Sequence, residues 1–260
     1  MSMIPKTIHY CWFGRSPLPE SAVKCINSWR KFFPDYEIKE WNEDNFDVNS
    51  IPYTAEAYQA RKYAFVSDYA RFWILYHYGG IYFDTDVEVI KPMGDIIAKG
   101  PFMGIETIGI DTFKSYPLVN PGLGVAAEPG MVLFHDILEH YALLLHLNDI
   151  NGNLTGGTVV THTTRALLNF GLQPTGSYQY IADISIYPAD FFNPYDDLTG
   201  RLVLTDNTRS IHWYSASWNK QSPYMRWMSR MSHRIFGLYI HYAKNILKRK
   251  LYLIKNNNDS

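Results

Sequence analysis

The sequence predicts an α/β fold, and three observations carry that expectation. The first 42 residues read strand, helix, strand. A long helical stretch then ends at Gly79-Gly80 and runs at once into a hydrophobic strand. Further short strands recur as far as residue 214, with no low-complexity linker or 20–50-residue repeat to divide them.

The first strand is "KTIHYCWFG", Lys6 to Gly14. "SPLPESAVKCINSWRKFFP" follows with a Ser and prolines at its start and Val23, Ile26, Trp29 and Phe33 at helical spacing, and Pro34 closes it. "DYEIKEWN" then places Tyr36, Ile38 and Trp41 in a second strand. Strand, helix and strand at this spacing make a parallel βαβ unit.

"TAEAYQARKYAFVSDYARFWILYHYGG" is read as one helix, with Ala64, Phe65, Phe72, Trp73 and Tyr76 on a broad apolar face and the two glycines as its stop. "IYFDTDVEVI" is a strand interrupted by carboxylates. "PFMGIE", "GLGVAAE", "ISIYP" and "RSIHWY" supply later strands, and "MVLFHDILEHYALLLHL" a second amphipathic helix.

A chain of 260 residues, 47% of them hydrophobic, can bury one sizeable core. A formal net charge of −1 argues against a general nucleic-acid binder. Aromatics reach 16%, which suits stacking on sugars or bases as well as it suits an aromatic core. The N-terminus lacks the pattern of a signal peptide and no stretch is long enough to span a bilayer, so a cytoplasmic setting is expected. Cys11 and Cys25 are expected as two buried or free thiols.

Between Pro223 and Lys255 the charged residues are Arg226, Arg230, Arg234, Lys244, Lys248, Arg249, Lys250 and Lys255, interleaved with apolar and aromatic ones. Residues 1–222 are therefore read as the main folded domain, 223–255 as a basic amphipathic helical segment, and 256–260 as a disordered tail. The basic segment suits the surface of an anionic membrane, which would make the protein peripheral on its inner face. The other reading is a C-terminal helix packed on the main folded domain.

Two pairs of polar residues carry chemistry. Asp84 and Asp86, separated by Thr85, lie at the end of a hydrophobic strand, where one carboxylate can hold a divalent cation while the other reaches a hydroxyl. Asp68 and Arg71, three apart on the preceding helix, share a face among Phe65, Phe72 and Trp73. In a concave site that pair can grip the hydroxyls of a sugar; on an open surface it is a salt bridge of little weight. His9, His77, His135, His140, His146 and His162 show no metal-ligand spacing.

"VSDYARFWILYHYGGIYFDTDVEVIKP" resembles the signature of family 32 glycosyltransferases, the sugar-binding region with a DXD motif. "IPKTIHYCWFG" resembles the opening strand of that family. "NPGLGVAAEPG", "IYPADFFNP" and "SIHWYSASW" resemble blocks of its bacterial capsular-polysaccharide members. The resemblance implies a GT-A fold with a mainly parallel central sheet flanked by helices. It also implies Mn²⁺ or Mg²⁺ and retention of anomeric configuration. A nucleotide-sugar donor, UDP-hexose foremost, would serve a glycan or lipid-linked acceptor.

By matching position, Trp12 would border or stack on the base, and Tyr82 counts among the donor-binding residues. Asp68 and Arg71 would hold the sugar, Asp84 would face ribose and sugar, and Asp86 would ligate the metal with His212. Ser217 and Trp218 would close over the pyrophosphate. A "TGP" element of relatives stands here as Thr155-Gly156-Gly157, which leaves the acceptor loop least defined. Two rivals make different use of the same residues. "IYFDTDVEV" also fits the opening strand of haloacid-dehalogenase-like phosphatases, with Asp84 as nucleophile and Asp196-Asp197 as a late acidic pair. A carbohydrate-binding protein without turnover would keep the sugar pocket alone.

Overall fold

The computed structural model describes residues 4–111, 114–144, 146, 157–215, 225, 228, 230 and 231. The chain separates into two compact units, one of residues 1–194 with 203–218, the other of residues 195–202 with 219–260. Ser217, Trp218 and nearly all of the basic segment lie outside the described residues.

The N-terminal reading holds for the elements, but Val23 is exposed, and Ala22 and Cys25 join Ile26 and Trp29 on the buried face of the first helix. Strand β1 (Thr7–Cys11), helix α1 (Glu20–Phe32) and strand β2 (Glu37–Trp41) form a parallel unit in which Ile8 pairs with Ile38. The long helical stretch is two helices, α2 (Pro52–Gln59) and α3 (Tyr63–Tyr78), because Arg61 between them adopts a positive φ of 56° that no helix accommodates. Gly79, at φ 63°, terminates α3, and its N–H donates to the Leu75 carbonyl. Gly80 opens β3 (Gly80–Tyr82) close against β1, where a Cβ would meet the Thr7 carbonyl oxygen at 2.6 Å. Phe83 to Asp86 break the ladder, and β4 (Val87–Val89) leaves the main sheet.

Helix α4 (Gly94–Ile97) leads to β5 (Phe102–Asp111) and β6 (Lys114–Asn120). A short 3-10 turn, Pro121–Leu123, and β7 (Val125–Ala127) come next. Helices α5 (Val132–Ala142) and α6 (Val159–Asn169) precede β8 (Gln179–Ile181), β9 (Ile184–Tyr187) and α7 (Ala189–Phe192). Strand β6 was not expected, because Pro117 interrupts "KSYPLVN"; it is tolerated on a strand that, among the described residues, pairs only with β5. Helix α6 was not expected either, because the β-branched residues of "VVTHTT" favour a strand.

The main sheet runs β2-β1-β3-β7-β5-β9-β8, with β6 added beside β5. Strands β1, β2, β3, β5 and β9 point one way and β6, β7 and β8 the other, so the sheet is mainly parallel and covered by helices. Alternation along the strands divides the core between its faces. Ile8, Tyr10, Ile81 and Phe83 join Cys25, Ile26 and Trp29 of α1 on one face. Cys11, Tyr82 and Val125 join Phe72, Leu75, Leu133 and Phe134 of α3 and α5 on the other. Both cysteines are buried and free. Among the described residues no helix is long and apolar enough to cross a membrane.

From β1 the chain departs to β2 on one side, yet the next strand of the sheet, β3, lies on the other. The C-terminal ends of β1 and β3 therefore flank a topological switch point, where loops diverge and leave a crevice.

In the second unit, β10 (Tyr195–Asp196) and β11 (Arg201–Leu202) form a hairpin. Asp196 accepts from the Leu198 N–H and the Thr199 hydroxyl within its own turn, and Asp197 pairs with Arg230 at 2.6 Å. These contacts engage both carboxylates locally. In the first unit, β12 (Ser210–His212) pairs antiparallel with β4.

His9 makes the fold acid-sensitive. The Trp41 indole N–H donates to its Nδ1 at 3.1 Å, so Nε2 carries the proton and donates to the Gly79 carbonyl at 3.0 Å. Burial lowers its pKa to about 4, the Gly79 carbonyl opposing and Lys39 adding to the fall. With an unfolded value of 6.5, the stability held by neutral His9 is fully present above pH 6.5 and lost as the pH falls to about 4. The loss approaches about 3 kcal/mol. The carboxamide of His9→Gln can make both hydrogen bonds without titrating. Urea midpoints of the wild type should therefore fall more steeply than those of His9→Gln between pH 6.5 and 4. Equal slopes would remove His9 from the acid response.

Candidate functional site

The carboxylate pair sits at the switch point. After β3 the chain turns, the Val87 N–H donating to the Asp84 carbonyl at 3.0 Å. Strand β4 is held there from both sides. The Trp29 indole of α1 donates to the Val87 carbonyl at 2.7 Å, and the Val89 N–H donates to Ser28 Oγ at 2.9 Å. On its other edge, β12 pairs His212 directly with Val87.

That register delivers the imidazole to the carboxylates. His212 Nε2 lies 3.1 Å from Asp86 Oδ1 and 4.0 Å from Asp84 Oδ2. The ligating atoms of Asp84, Asp86 and His212 all lie within 4.8 Å of one another. Carboxylate oxygens with one imidazole nitrogen form a donor set suited to Mn²⁺, and to Mg²⁺ less well because of the nitrogen. The residues present therefore fit a divalent cation. Asp86 Oδ2 is anchored by the Ser215 N–H at 2.8 Å and its hydroxyl at 3.1 Å. Burial alone would raise the Asp86 pKa, but His212 and Ser215 hold it at about 2. Burial likewise works to lower the His212 pKa, and Asp86 outweighs it and raises it.

On the other side of Asp84 lies Arg71 of α3. Its Nη2 is 2.8 Å from Asp68 Oδ1 and 3.4 Å from Asp84 Oδ1, and its Nε donates to the Ser67 carbonyl at 3.2 Å. The guanidinium lies 4.9 Å from the centroid of the Tyr82 ring, whose hydroxyl donates to Asp84 Oδ1 at 3.0 Å. Arg71 is only 3% exposed, so this is no surface salt bridge. Burial opposes its charge, and Asp84 and Asp68 outweigh that and keep it protonated. Burial pushes Asp68 up to about 7, with Arg71 pulling down and Asp84 adding to the rise. Arg71 Nη1 is buried and has no hydrogen-bond partner among the described residues, so one donor remains to be satisfied.

Asp68, Arg71, Tyr82, Asp84, Asp86 and His212 are thus brought together. Trp12 follows β1 at the same end of the sheet, half-buried, its indole N–H donating to the Ser16 carbonyl at 2.6 Å. Sequence reasoning missed Ser215, which lies two residues before the Ser217 it favoured. It also missed Glu106, Asn120 and Tyr214. Asn120 Oδ1 accepts from the Gly122 N–H at 2.7 Å, and Asn120 Nδ2 donates to Glu106 Oε1 at 3.3 Å. Tyr214 donates to the same oxygen at 2.7 Å and sets its ring edge-on to His212, 4.1 Å between centroids. Single polar residues in apolar strands carry no signal that spacing could have found.

Gly122 underlies Asp84. A Cβ there would collide with Asp84 Oδ2 and come within 3.0 Å of Asn120 Oδ1. Gly122→Ala should therefore cost about 1–3 kcal/mol in overpacking, relieved by displacement of the Asp84 carboxylate. The expected result is a near-native circular dichroism spectrum with Mn²⁺ binding weakened at least tenfold, measured by titration calorimetry. Unchanged binding would show that Asp84 does not need that position.

Comparison with known proteins points to the same region. Residues 19–103, about a third of the chain, match the family model described as "Glycosyltransferase sugar-binding region containing DXD motif". Inositol phosphoceramide mannosyltransferase 1 of Schizosaccharomyces pombe is 31% identical over 132 residues, which cover 45% of this chain and 40% of that protein. The chain thus matches less than half the length of this relative. The uncharacterized glycosyltransferase L373 of Acanthamoeba polyphaga mimivirus is 28% identical over 198 residues, 74% of this chain and 76% of that protein. Among solved structures, the PaToxG glycosyltransferase aligns with a TM-score of 0.44 at 19% identity, over 65% of this chain and 70% of that one. The galactosyltransferase LgtC aligns with a TM-score of 0.36 at 12% identity, over 71% and 74% of the respective chains. Residues 19–103, with Asp68, Arg71, Asp84 and Asp86 among them, are therefore similar to glycosyltransferase sugar-binding regions that carry a DXD motif.

Proposed function

We propose that the chain is a retaining, divalent-metal-dependent glycosyltransferase of the GT-A type. It moves a hexosyl group from a nucleotide-sugar to a glycan or lipid-linked acceptor. One observation carries this reading: two side chains able to hold a metal, Asp86 and His212, and a buried Asp–Arg pair converge on the same carboxylate, Asp84, at the switch point of the sheet. UDP-hexose is the donor favoured. The similarity to a mannosyltransferase adds mannosyl donors to those worth testing. A capsule or exopolysaccharide setting rests on the sequence resemblance alone.

Each residue has a task that its position supports. Asp84, Asp86 and His212 would hold a divalent cation, which when bound would supply positive charge to stabilise the departing diphosphate. Ser215 keeps Asp86 turned toward that position. The unpartnered Nη1 of Arg71 donates to a sugar hydroxyl, and Asp68 accepts from one. Trp12 borders the base; Ser217 and Trp218, outside the described residues, are assigned to the diphosphate by the sequence resemblance alone. Retention follows from attack on the face the diphosphate departs from, its oxygen taking the acceptor's proton. The alternative is a double displacement through Asp68, a carboxylate that Arg71 holds at 2.8 Å.

Two experiments test this. The protein is incubated with Mn²⁺ and, in turn, UDP-glucose, UDP-galactose and GDP-mannose, and nucleotide release is measured. Release from at least one donor is expected, abolished by EDTA and reduced at least a hundredfold in Asp86→Asn at unchanged thermal stability. Undiminished turnover in EDTA would overturn the metal role. Arg71→Lys retains the cation beside Asp68 and Asp84 but lacks the guanidinium fork. Transfer should fall about a hundredfold while the affinity for free nucleoside diphosphate changes less than about threefold. Equal loss of both by calorimetry would make Arg71 purely structural.

A further inference from the structure

We propose that Glu106 is a positioning residue that locks both branches of the metal-holding cluster through a single carboxylate oxygen. This rests on the reading that Asp84, Asp86 and His212 hold a divalent cation. Glu106 lies beyond the residues that match the family model and contributes no ligand atom to that cluster.

The geometry begins in the backbone. The β5–β6 ladder shifts register between Ile105 and Thr107, a bulge centred on Glu106. A bulge re-aims a side chain and leaves a backbone group without its ladder partner. Here the Glu106 carbonyl is taken up by Asn193 Nδ2 at 2.9 Å, so the irregularity is fixed in place. The side chain is directed to the cluster, where its charge helps to raise the pKa of His212.

Two chains of contact leave Glu106 Oε1. In one, Asn120 Nδ2 donates to it at 3.3 Å, which orients Asn120 Oδ1 to accept from the Gly122 N–H at 2.7 Å. That sets the turn pressed against Asp84 Oδ2. In the other, the Tyr214 hydroxyl donates to it at 2.7 Å, and the Tyr214 ring stands edge-on to His212. Tyr214 also adopts a positive φ of 48°, a strained conformation for a non-glycine residue that its side-chain contacts must hold. The next residue, Ser215, makes both hydrogen bonds to Asp86. One oxygen thus bears on Asp84 through Gly122, on His212 through the Tyr214 ring, and on Asp86 through Ser215. Partners that orient metal ligands set affinity without touching the metal.

The test measures Mn²⁺ binding to the full chain by electron paramagnetic resonance of free Mn²⁺, without turnover. Wild-type binding must be seen first; if it is absent, the metal reading fails and this inference with it. Where the wild type binds, Glu106→Ala should weaken Mn²⁺ about 10–100-fold. Glu106→Gln keeps an acceptor oxygen for Asn120 and Tyr214 and should bind within about threefold of wild type. Tyr214→Phe removes one branch and should fall between them; it also carries the test if the alanine variant does not fold. In the double variant Glu106→Ala with Tyr214→Phe, affinity should fall no further than in Glu106→Ala alone. A residue that only stabilised the strands would lower the melting temperature and leave Mn²⁺ affinity intact. That outcome, or full additivity of the two substitutions, would overturn the proposal.

Discussion

A single guanidinium, buried and shared by two carboxylates, is the constraint around which the rest of the site is arranged. Arg71 cannot leave α3 for water without opening the core, and it cannot remain charged there without Asp68 and Asp84. Removing one partner of such a group strands the other charges at a cost of about 3–5 kcal/mol. The helix must therefore sit where its Asp68–Arg71 face reaches the end of β3. The apolar packing of Phe72, Ile74 and Leu75, all fully buried, holds it there. Fold and site are specified by the same helix: its apolar stripe seats it on the sheet, and its two charged residues mark the crevice. Burial raises the pKa of Asp68, Arg71 pulls it down, and the second carboxylate, Asp84, adds to the rise.

What the sequence revealed was whatever depended on local pattern. The βαβ unit was legible because Val23, Ile26 and Trp29 repeat at helical spacing and Pro34 ends the run. Asp84 and Asp86 were legible because a hydrophobic strand delivers them one residue apart. Helix α3 was legible as a helix but not in its length or its buried face. Of Ala64, Phe65, Phe72, Trp73 and Tyr76 only Phe72 is fully buried, beside Val66, Ala70, Ile74 and Leu75. Nothing about Arg61 announces a left-handed backbone. The remainder depended on long-range pairing. His212 reaches Asp86 only because β12 lies beside β4, a pairing that spans well over a hundred residues and that no spacing rule contains. Only its resemblance to a family block singled it out. Ser215 was missed by two positions, because which residue after His212 faces the carboxylate is set by the turn at Tyr214 rather than by strand alternation.

The location of the site follows from topology before any side chain is considered. Where the chain leaves β1 for β2 and later returns to lay β3 on the opposite side, the connections diverge, and in open α/β sheets the gap at such a point is where ligands bind. Functional side chains then need only stand at strand ends facing that gap. Asp84 and Asp86 do so from the end of β3, and Trp12 from the end of β1. The antiparallel β4–β12 pair closes one flank and carries His212 and Ser215 with it. The main sheet is heavily buried; Trp12, Asp84 and Asp86 are partly exposed at its edge, whereas Asp68, Arg71 and His212 are buried.

Asp84 occupies the position where these parts meet, and its two oxygens are assigned to different neighbours. Oδ1 faces Tyr82 at 3.0 Å and Arg71 at 3.4 Å, on the side of the Asp68–Arg71 pair. Oδ2 faces His212 at 4.0 Å and rests on Gly122, on the side of the metal-holding cluster. A rotation of the carboxylate that served one side would spoil the other. The surroundings therefore fix it in both directions: the Tyr82 hydroxyl from one face, the glycine turn from the other. This explains why position 122 has no side chain, since any Cβ would force the choice. On the proposed reading each oxygen would answer to a different ligand, and donor sugar and cation would be coupled through this one carboxylate.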